Sequence, residues 1–169
     1  MIVVSDTPAI TSLLQIGRGE LLRELFDEVV IPEAVAGELR RSHPVLPGFI
    51  QVARVKHRDA ADRLRRELDE GEAEAIALML ENRGEILLID ERRGRRVAQR
   101  EGVAVIGLLG ALLMAKRRGL IPSLRNLVGD LQQMAGFRVS NELRARRLVM
   151  KSVGATCPRA RDAAWRRQG

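Results

Sequence analysis

Short apolar segments alternate along this chain with stretches whose apolar residues recur at helical spacing, and this alternation constrains the fold most. Segments of four to six residues that are rich in Val, Ile and Leu predict strands at Ile2–Ser5, Glu28–Ile31, Ile50–Val55, Glu85–Ile89 and Val103–Ile106. Most are apolar on both faces, which is typical of parallel strands covered by helices on both sides. Only Ile50–Val55 alternates, which indicates an edge strand. The sequence therefore predicts an α/β fold around a parallel sheet.

Proline and glycine residues predict where the helices begin and end. Thr7 is a favourable N-cap and Pro8 a favourable first helical residue, so a helix should follow the first strand and end at Gly17 or Gly19. Pro32 should begin another helix, which runs to about Arg41. The remaining predicted helices span residues 20–26, 58–68, 71–81, 91–100, 107–118, 122–134 and 140–150. A length of 169 residues suggests one domain, at 1–150, with 151–169 as a basic and mobile C-terminal tail.

The composition excludes several classes of protein. The single Cys157 can form neither an intramolecular disulfide nor a thiolate metal cluster, which favours a reducing compartment. The longest apolar run, Val103–Ala115, is too short to cross a bilayer, and no charged leader precedes the apolar N-terminus. We therefore expect a cytoplasmic protein without membrane association. Aromatic residues make up 2% of the chain, so base recognition by stacking is not expected.

Charge is distributed unevenly between the two halves of the chain. Residues 1–90 contain 11 basic and 17 acidic side chains, whereas residues 91–169 contain 18 basic and 5 acidic ones. An acidic half could bind cations and a basic half could bind a polyanion. A compositional bias toward arginine explains the basic half equally well.

Two aspartates follow predicted strands directly. Asp6 ends the first strand and Asp90 ends a later one. Because the carboxyl ends of parallel strands meet at one edge of the sheet, adjacent strands would bring these carboxylates together. Two such carboxylates repel each other unless a cation neutralises them, and Mg²⁺ and Mn²⁺ prefer oxygen ligands. The alternative for Asp6 is an N-cap or another structural role.

Helical acids could complete such a site. Glu38 shares a mildly apolar helix face with its neighbours, although an ion pair with Arg41 is a plausible alternative. Glu72 lies on the same helix face as Ile76, which predicts a buried ligand. Glu74 points about 200° away from Glu72 around the helix axis. We therefore expect it at the surface or in contact with the metal ligands without binding the metal itself.

Polar residues beside these acids extend the predicted site. Glu91 directly follows Asp90 and could cap the next helix or support the metal, and Thr7 could bind a metal-bound water or serve as a plain N-cap. Arginine binds phosphate bidentately, and Arg92, Arg93, Arg95 and Arg96 follow Asp90 directly. We expect one or two of this set to contact phosphate groups, with Arg92, Arg95 and Arg96 as the candidates.

The ordered set of motifs resembles the PIN-domain superfamily, which includes the VapC-type toxin nucleases, and most closely a small uncharacterised PIN-like branch. The matching stretches are Val4–Pro8, Ile31–Leu39, Gly71–Leu78, Leu87–Arg95 and Gly107–Gly119, which together span roughly residues 1–150. The resemblance implies a three-layer α/β/α sandwich with a Rossmann-like central sheet. It also implies an endonuclease for single-stranded RNA that uses Mg²⁺ or Mn²⁺, often as a homodimer and, in the toxin group, with an antitoxin.

Carried over by position, the acids of this superfamily correspond to Asp6, Glu38, Glu72 and Asp90, which are expected as metal ligands and catalytic residues. Toxins of the superfamily usually have aspartate in place of Glu72.

Two other readings remain open from the residues. The chain could be a catalytically weak interaction module that dimerises through the apolar segment Ala104–Ala115 and binds a partner protein. A phosphoacceptor domain would need paired acids after the first strand, whereas Asp6 is followed by Thr7 and Pro8. P-loop and glycine-rich dinucleotide fingerprints are absent from the sequence.

Overall fold

A computed structural model describes residues 1–138 of the chain, and residues Met1–Phe137 form one compact unit. The predicted helix at 140–150 and the predicted tail at 151–169 lie outside the described residues. The strands are β1 (Ile2–Ser5), β2 (Glu28–Pro32), β3 (Ile50–Ala53), β4 (Ile86–Leu88) and β5 (Val105–Ile106). The helices are α1 (Thr7–Gln15), α2 (Glu20–Leu25), α3 (Glu33–Ser42), α4 (Arg58–Leu64), α5 (Glu70–Leu80), α6 (Arg92–Arg100), α7 (Leu108–Arg117) and α8 (Leu124–Met134).

The five strands form one parallel sheet in the order β3-β2-β1-β4-β5. The chain moves outward from β1 to β2 and β3, then crosses back to β4 on the other side of β1. This reversal of direction lies between β1 and β4, where open parallel sheets bind ligands beyond the carboxyl ends of their strands. As predicted, β3 is an edge strand.

Both faces of the sheet are buried. Val4 pairs in register with Val30 and Leu87, and all three pack against residues of α4, α5 and α6. Their neighbours along the strands, Val3 and Leu88, point to the opposite face and are also fully buried. The expected α/β/α sandwich with a central parallel sheet is therefore confirmed.

The start of α1 differs from the prediction. Asp6, not Thr7, is the N-cap, and its carboxylate accepts a hydrogen bond from the backbone N–H of Ala9 at 3.4 Å. Thr7 is thus the first helical residue, and Pro8 lies in the first turn, where its missing N–H costs no hydrogen bond. The N-cap alternative considered for Asp6 is correct, and it places a carboxylate at the carboxyl edge of the sheet.

The apolar segment Ala104–Ala115 is buried along one side of α7. Within α7, the residues Leu108, Ala111, Leu112 and Ala115 are buried, and Leu113 is partly exposed. None of the helices in residues 1–138 is long and apolar enough to cross a membrane.

Candidate metal centre

Asp6 and Asp90 meet at the carboxyl edge of the sheet. Strands β1 and β4 are neighbours, and the backbone N–H of Asp90 donates to Asp6 Oδ2 at 3.4 Å. Asp6 is only 1% exposed, and Asp90 Oδ1 accepts a 2.9 Å hydrogen bond from the backbone N–H of Leu108, the first residue of α7. The predicted convergence of the two strand-end aspartates is therefore present.

Burial of these carboxyl groups disfavours their charged forms. It raises the pKa of Asp6 to about 8, although hydrogen bonds from the N–H groups of Ala9 and Asp90 oppose this shift. The charges of Asp90 and Glu72 contribute to the same upward shift. Burial also raises the pKa of Asp90, against the Leu108 N–H and the Arg95 guanidinium. Such a pair needs protons or a bound cation to remain buried together.

Glu72 supplies an unsatisfied oxygen to the same region. It lies in the first turn of α5 and is 5% exposed, and its Oε1 has no hydrogen-bond partner among the described residues. Burial raises its pKa to about 7, and the nearby carboxylates of Asp69 and Glu91 raise it further. A buried carboxylate oxygen without a donor is costly unless something positive binds it. The donor set of buried carboxylates therefore fits a hard divalent cation.

Asp69, Glu72 and Glu91 form the tightest group of acids in residues 1–138. Each offers a carboxylate oxygen, and these oxygens lie within 4.8 Å of one another. Glu91 occupies the N-cap position of α6 without a capping side-chain hydrogen bond, so its predicted capping alternative is wrong and its place beside Glu72 remains.

Asp69 was missed by sequence reasoning. Its carboxylate caps α5 by accepting from the backbone N–H of Glu72 at 2.8 Å. The spacing Asp-x-x-Glu is the signal that could have identified it, because an N-cap bonds to the third helical residue.

Glu38 joins the site through Thr7. The Thr7 hydroxyl donates a hydrogen bond to the Glu38 carboxylate, which links the start of α1 to α3. Both residues line a cleft of about 370 Å³ together with Asp6, Asp69 and Glu72. All four predicted acids therefore lie at one edge of the sheet, and Thr7 orients Glu38 instead of capping α1.

A family model described as a PIN domain matches residues 2–152. The chain belongs to the PIN-domain family. No curated protein and no solved structure matched it in the same comparisons. PIN domains have a nuclease-type fold and use divalent metals, and this PIN domain has the carboxylate cluster that such chemistry requires.

Two glycines let α6 and α7 approach the acids of this PIN domain. A Cβ at Gly94 in α6 would collide with Glu72 Oε1 and with Ile89. A Cβ at Gly107, before α7, would lie 2.7 Å from Arg95 Nη1 and 2.9 Å from Asp90 Oδ1. These glycines leave room for the carboxylates and place the Arg95 guanidinium beside Asp90.

Of the three predicted RNA-binding arginines, the structure brings Arg95 to the acids, whereas Arg92 and Arg96 are exposed on α6. Arg93, another member of the run after Asp90, lowers the pKa of Glu72 through its charge. Positive charge beside the acids therefore comes from Arg93 and Arg95 in the first turn of α6, as expected.

Of the two places expected for Glu74, the protein surface is wrong. Helix α5 is buried on all sides from Gly71 to Met79, and Glu74 is 3% exposed. Its Oε1 accepts from Arg58 Nη1 at 2.6 Å and its Oε2 accepts from the backbone N–H of Ala34 at 3.1 Å. Glu74 therefore joins α5 to α4 and to the first turn of α3. The prediction assumed one buried and one exposed side of α5, whereas α3 and α4 cover the side that was expected to be exposed.

Replacing Glu74 by alanine should lower the free energy of unfolding by about 2 kcal/mol, because it leaves Arg58 and the Ala34 N–H without their acceptor. Urea unfolding in the presence of EDTA measures this effect without any contribution from metal. The control is Glu24→Ala, at an exposed position of α2, which should change stability by less than about 0.5 kcal/mol. Equal stability of the two variants would contradict the role given to Glu74.

Replacing Gly94 by alanine should displace Glu72 and lower the free energy of unfolding by about 1–3 kcal/mol, because the added methyl group overlaps Glu72 and Ile89. Gly37 in α3 provides a matched control, since a Cβ there meets nothing within 4 Å. Gly37→Ala should stabilise the protein by about 0.5–1 kcal/mol. Thermal unfolding of both variants measures the difference, and a neutral Gly94→Ala would show that Glu72 does not need its present position.

Proposed function

We propose that this PIN domain is a divalent-metal-dependent endoribonuclease that cleaves single-stranded RNA. The observation that carries the proposal is the convergence of the buried Asp6 and Glu72 with the half-buried Asp90, where Glu72 Oε1 has no hydrogen-bond partner among residues 1–138. A structural role alone would satisfy that oxygen with a donor. A divalent cation satisfies it and also offsets the repulsion among the acids.

In this proposal, Asp6, Asp90, Glu72 and Glu38 hold Mg²⁺ or Mn²⁺, with Asp69 and Glu91 beside Glu72. When bound, such a metal lowers the pKa of a coordinated water and stabilises negative charge on a phosphate. The protein groups orient the ligands: the Leu108 N–H fixes Asp90, and the Thr7 hydroxyl fixes Glu38. Arg95, beside Asp90, supplies positive charge for the scissile phosphate.

The preference for single-stranded RNA follows from the resemblance to toxin-type members of the superfamily. Contacts should be mainly to the backbone, because the sequence contains no tyrosine and one tryptophan on which bases could stack. Affinity should then weaken as salt concentration rises. A toxin role with a cognate antitoxin, and a homodimer, are further parts of the proposal that rest on the resemblance.

The proposal is tested by incubating the purified protein with labelled single-stranded RNA, with DNA of the same sequence, and with duplex RNA. We expect cleavage of single-stranded RNA with Mg²⁺ or Mn²⁺, no cleavage with EDTA, and recovery when metal is added back. An Asp6→Asn preparation identifies contaminating ribonuclease, because cleavage that survives in this variant does not come from the proposed site. Absence of metal-dependent cleavage of every substrate would contradict the proposal.

A further inference from the structure

A second cleft of about 590 Å³ lies away from the acids and is lined by Arg54, Val55, Lys56, Arg58 and Arg83. Four of these five residues are cationic, and Val55 is buried beneath them. The cleft contrasts with the acidic one beside α1, and the cations come from the segment after β3 and from the loop after α5.

The backbone that carries these cations is held in place. Glu81, at the end of α5, accepts hydrogen bonds from the N–H groups of Lys56 and His57 at 2.8 and 2.7 Å. After α5, Asn82 adopts a left-handed conformation with φ of 56°, and the Arg83 N–H bonds to the Leu78 carbonyl at 3.0 Å. This is a Schellman-type helix end, which fixes the position of Arg83. Both walls of the cleft are therefore built on fixed backbone.

Two of the four cations lack an anionic partner among residues 1–138. Arg58 binds the buried Glu74, and Arg54 lies 3.7 Å from Glu33 in an exposed pair of little energetic weight. Within residues 1–138, the side chains of Lys56 and Arg83 make no ion pair. The cleft thus has a surplus of positive charge that an anion could neutralise.

The cleft extends from the edge of the sheet that holds the metal centre toward the opposite edge. Arg54 directly follows β3, so it lies at the carboxyl end of the sheet, as Asp6 does after β1. Strands β3 and β1 are separated by β2, which corresponds to roughly 10 Å between Arg54 and Asp6 at the carboxyl ends of these strands. Arg83 precedes β4 and lies farther away, toward the amino end of the sheet. Glu72 and Glu74 point to opposite sides of α5, and Arg58 contacts Glu74, which gives a similar separation of about one helix width.

We propose that the basic cleft formed by Arg54, Lys56, Arg58 and Arg83 binds backbone phosphates of the RNA strand, a few nucleotides from the phosphate that is cut. This inference rests on the proposed function, since it assigns the cleft to the substrate of the metal centre. Separate phosphates on a flexible strand suit cations that come from separate segments, and the contacts would be independent of base sequence. Lys56 and Arg83 contribute most, because no ion pair within residues 1–138 must break before they bind phosphate.

The test is the double variant Lys56→Ala/Arg83→Ala, which leaves Arg58 and its bond to Glu74 intact. Binding of a labelled single-stranded RNA of about 16 nucleotides is measured by fluorescence anisotropy in EDTA, so that neither metal nor cleavage contributes. We expect Kd to rise about tenfold, and the slope of log K against log salt to become shallower by about 1.4 for two lost contacts. The control is Arg23→Ala/Arg40→Ala, which removes two charges from exposed positions that do not line the cleft and should change Kd less than about twofold.

Failure of this proposal and failure of the nuclease proposal give different results. Unchanged Kd and salt slope in the double variant would overturn the cleft assignment, even if the protein cleaves RNA. Weakened RNA binding in a protein that never cleaves RNA would support the cleft and contradict the nuclease. Tight binding of a labelled polyglutamate peptide, lost in the double variant while RNA binding is retained, would assign the cleft to an acidic protein partner and overturn the RNA proposal.

Discussion

Asp90→Asn is expected to lower kcat/KM for metal-dependent RNA cleavage by at least about a hundredfold, the scale on which loss of one group that stabilises transition-state charge acts. Asparagine keeps the shape of the side chain, and its amide oxygen can still accept the hydrogen bond that the Leu108 N–H now donates to Asp90 Oδ1. The substitution therefore removes one negative charge from the ligand set and leaves the local fold intact. Cleavage of a fluorogenic single-stranded RNA at a fixed Mn²⁺ concentration measures the loss.

The matched control for this prediction is Asp62→Asn, the same substitution at an exposed position of α4. Asp62 lies 3.9 Å from Arg65 in an exposed i,i+3 pair, so its loss should affect neither activity nor stability. Calorimetry should show weaker Mn²⁺ binding for Asp90→Asn than for Asp62→Asn. Cleavage by Asp90→Asn at the rate of the control would remove Asp90 from the metal centre.

Without metal, the free energy of unfolding should fall as pH rises from about 5 to 8, by on the order of 2 kcal/mol. Asp6 has a pKa of about 8 and Glu72 of about 7 in the folded protein, against ordinary values of 3.8 and 4.5. Between those values the folded state binds more protons than the unfolded chain, so each increase in pH favours unfolding. The stability that these groups contribute is complete below their ordinary pKa values and is lost as pH approaches the raised ones.

Urea unfolding in EDTA at several pH values measures this dependence, and Asp6→Asn should make it shallower. Asparagine is also a good N-cap, so the variant should keep α1. Added Mn²⁺ should stabilise the wild-type protein more at pH 8 than at pH 6, because metal ligands must lose their protons before they bind. Stability that rises from pH 5 to pH 8 in EDTA, or metal stabilisation that is equal at both pH values, would show that these carboxyl groups are not desolvated as the structure indicates.

From the sequence, we could predict only that Asp6 and Asp90 would lie close together if their two strands were neighbours. Short apolar strands with an acid directly after them indicated parallel strands and a shared carboxyl edge. Whether β1 and β4 are neighbours depends on strand order, and β4 is separated from β1 by two other strands along the chain. Crossover connections of different length are compatible with the same local pattern, so strand adjacency required the tertiary structure.

The helical acids show a different limit. The spacing of Glu72 and Ile76 correctly placed Glu72 on a buried face, because residues four apart lie on one side of a helix. The same argument failed for Glu74, since it assumes one covered face, whereas α5 is surrounded by other elements. Periodicity shows which residues share a face, but it does not show how many faces the rest of the protein covers.

From the sequence alone, the order of strands and helices, the edge position of β3, and acids directly after β1 and β4 could be determined, because these depend on spacings within a few residues. Only the tertiary structure brought Asp69 and Glu91 to Glu72, paired Thr7 with Glu38, and assembled the basic cleft from Arg54 to Arg83. These contacts join residues that are far apart in the sequence; Thr7 and Glu38, for example, are separated by 31 positions. Their geometry depends on how helices pack across the sheet, which local spacing does not specify.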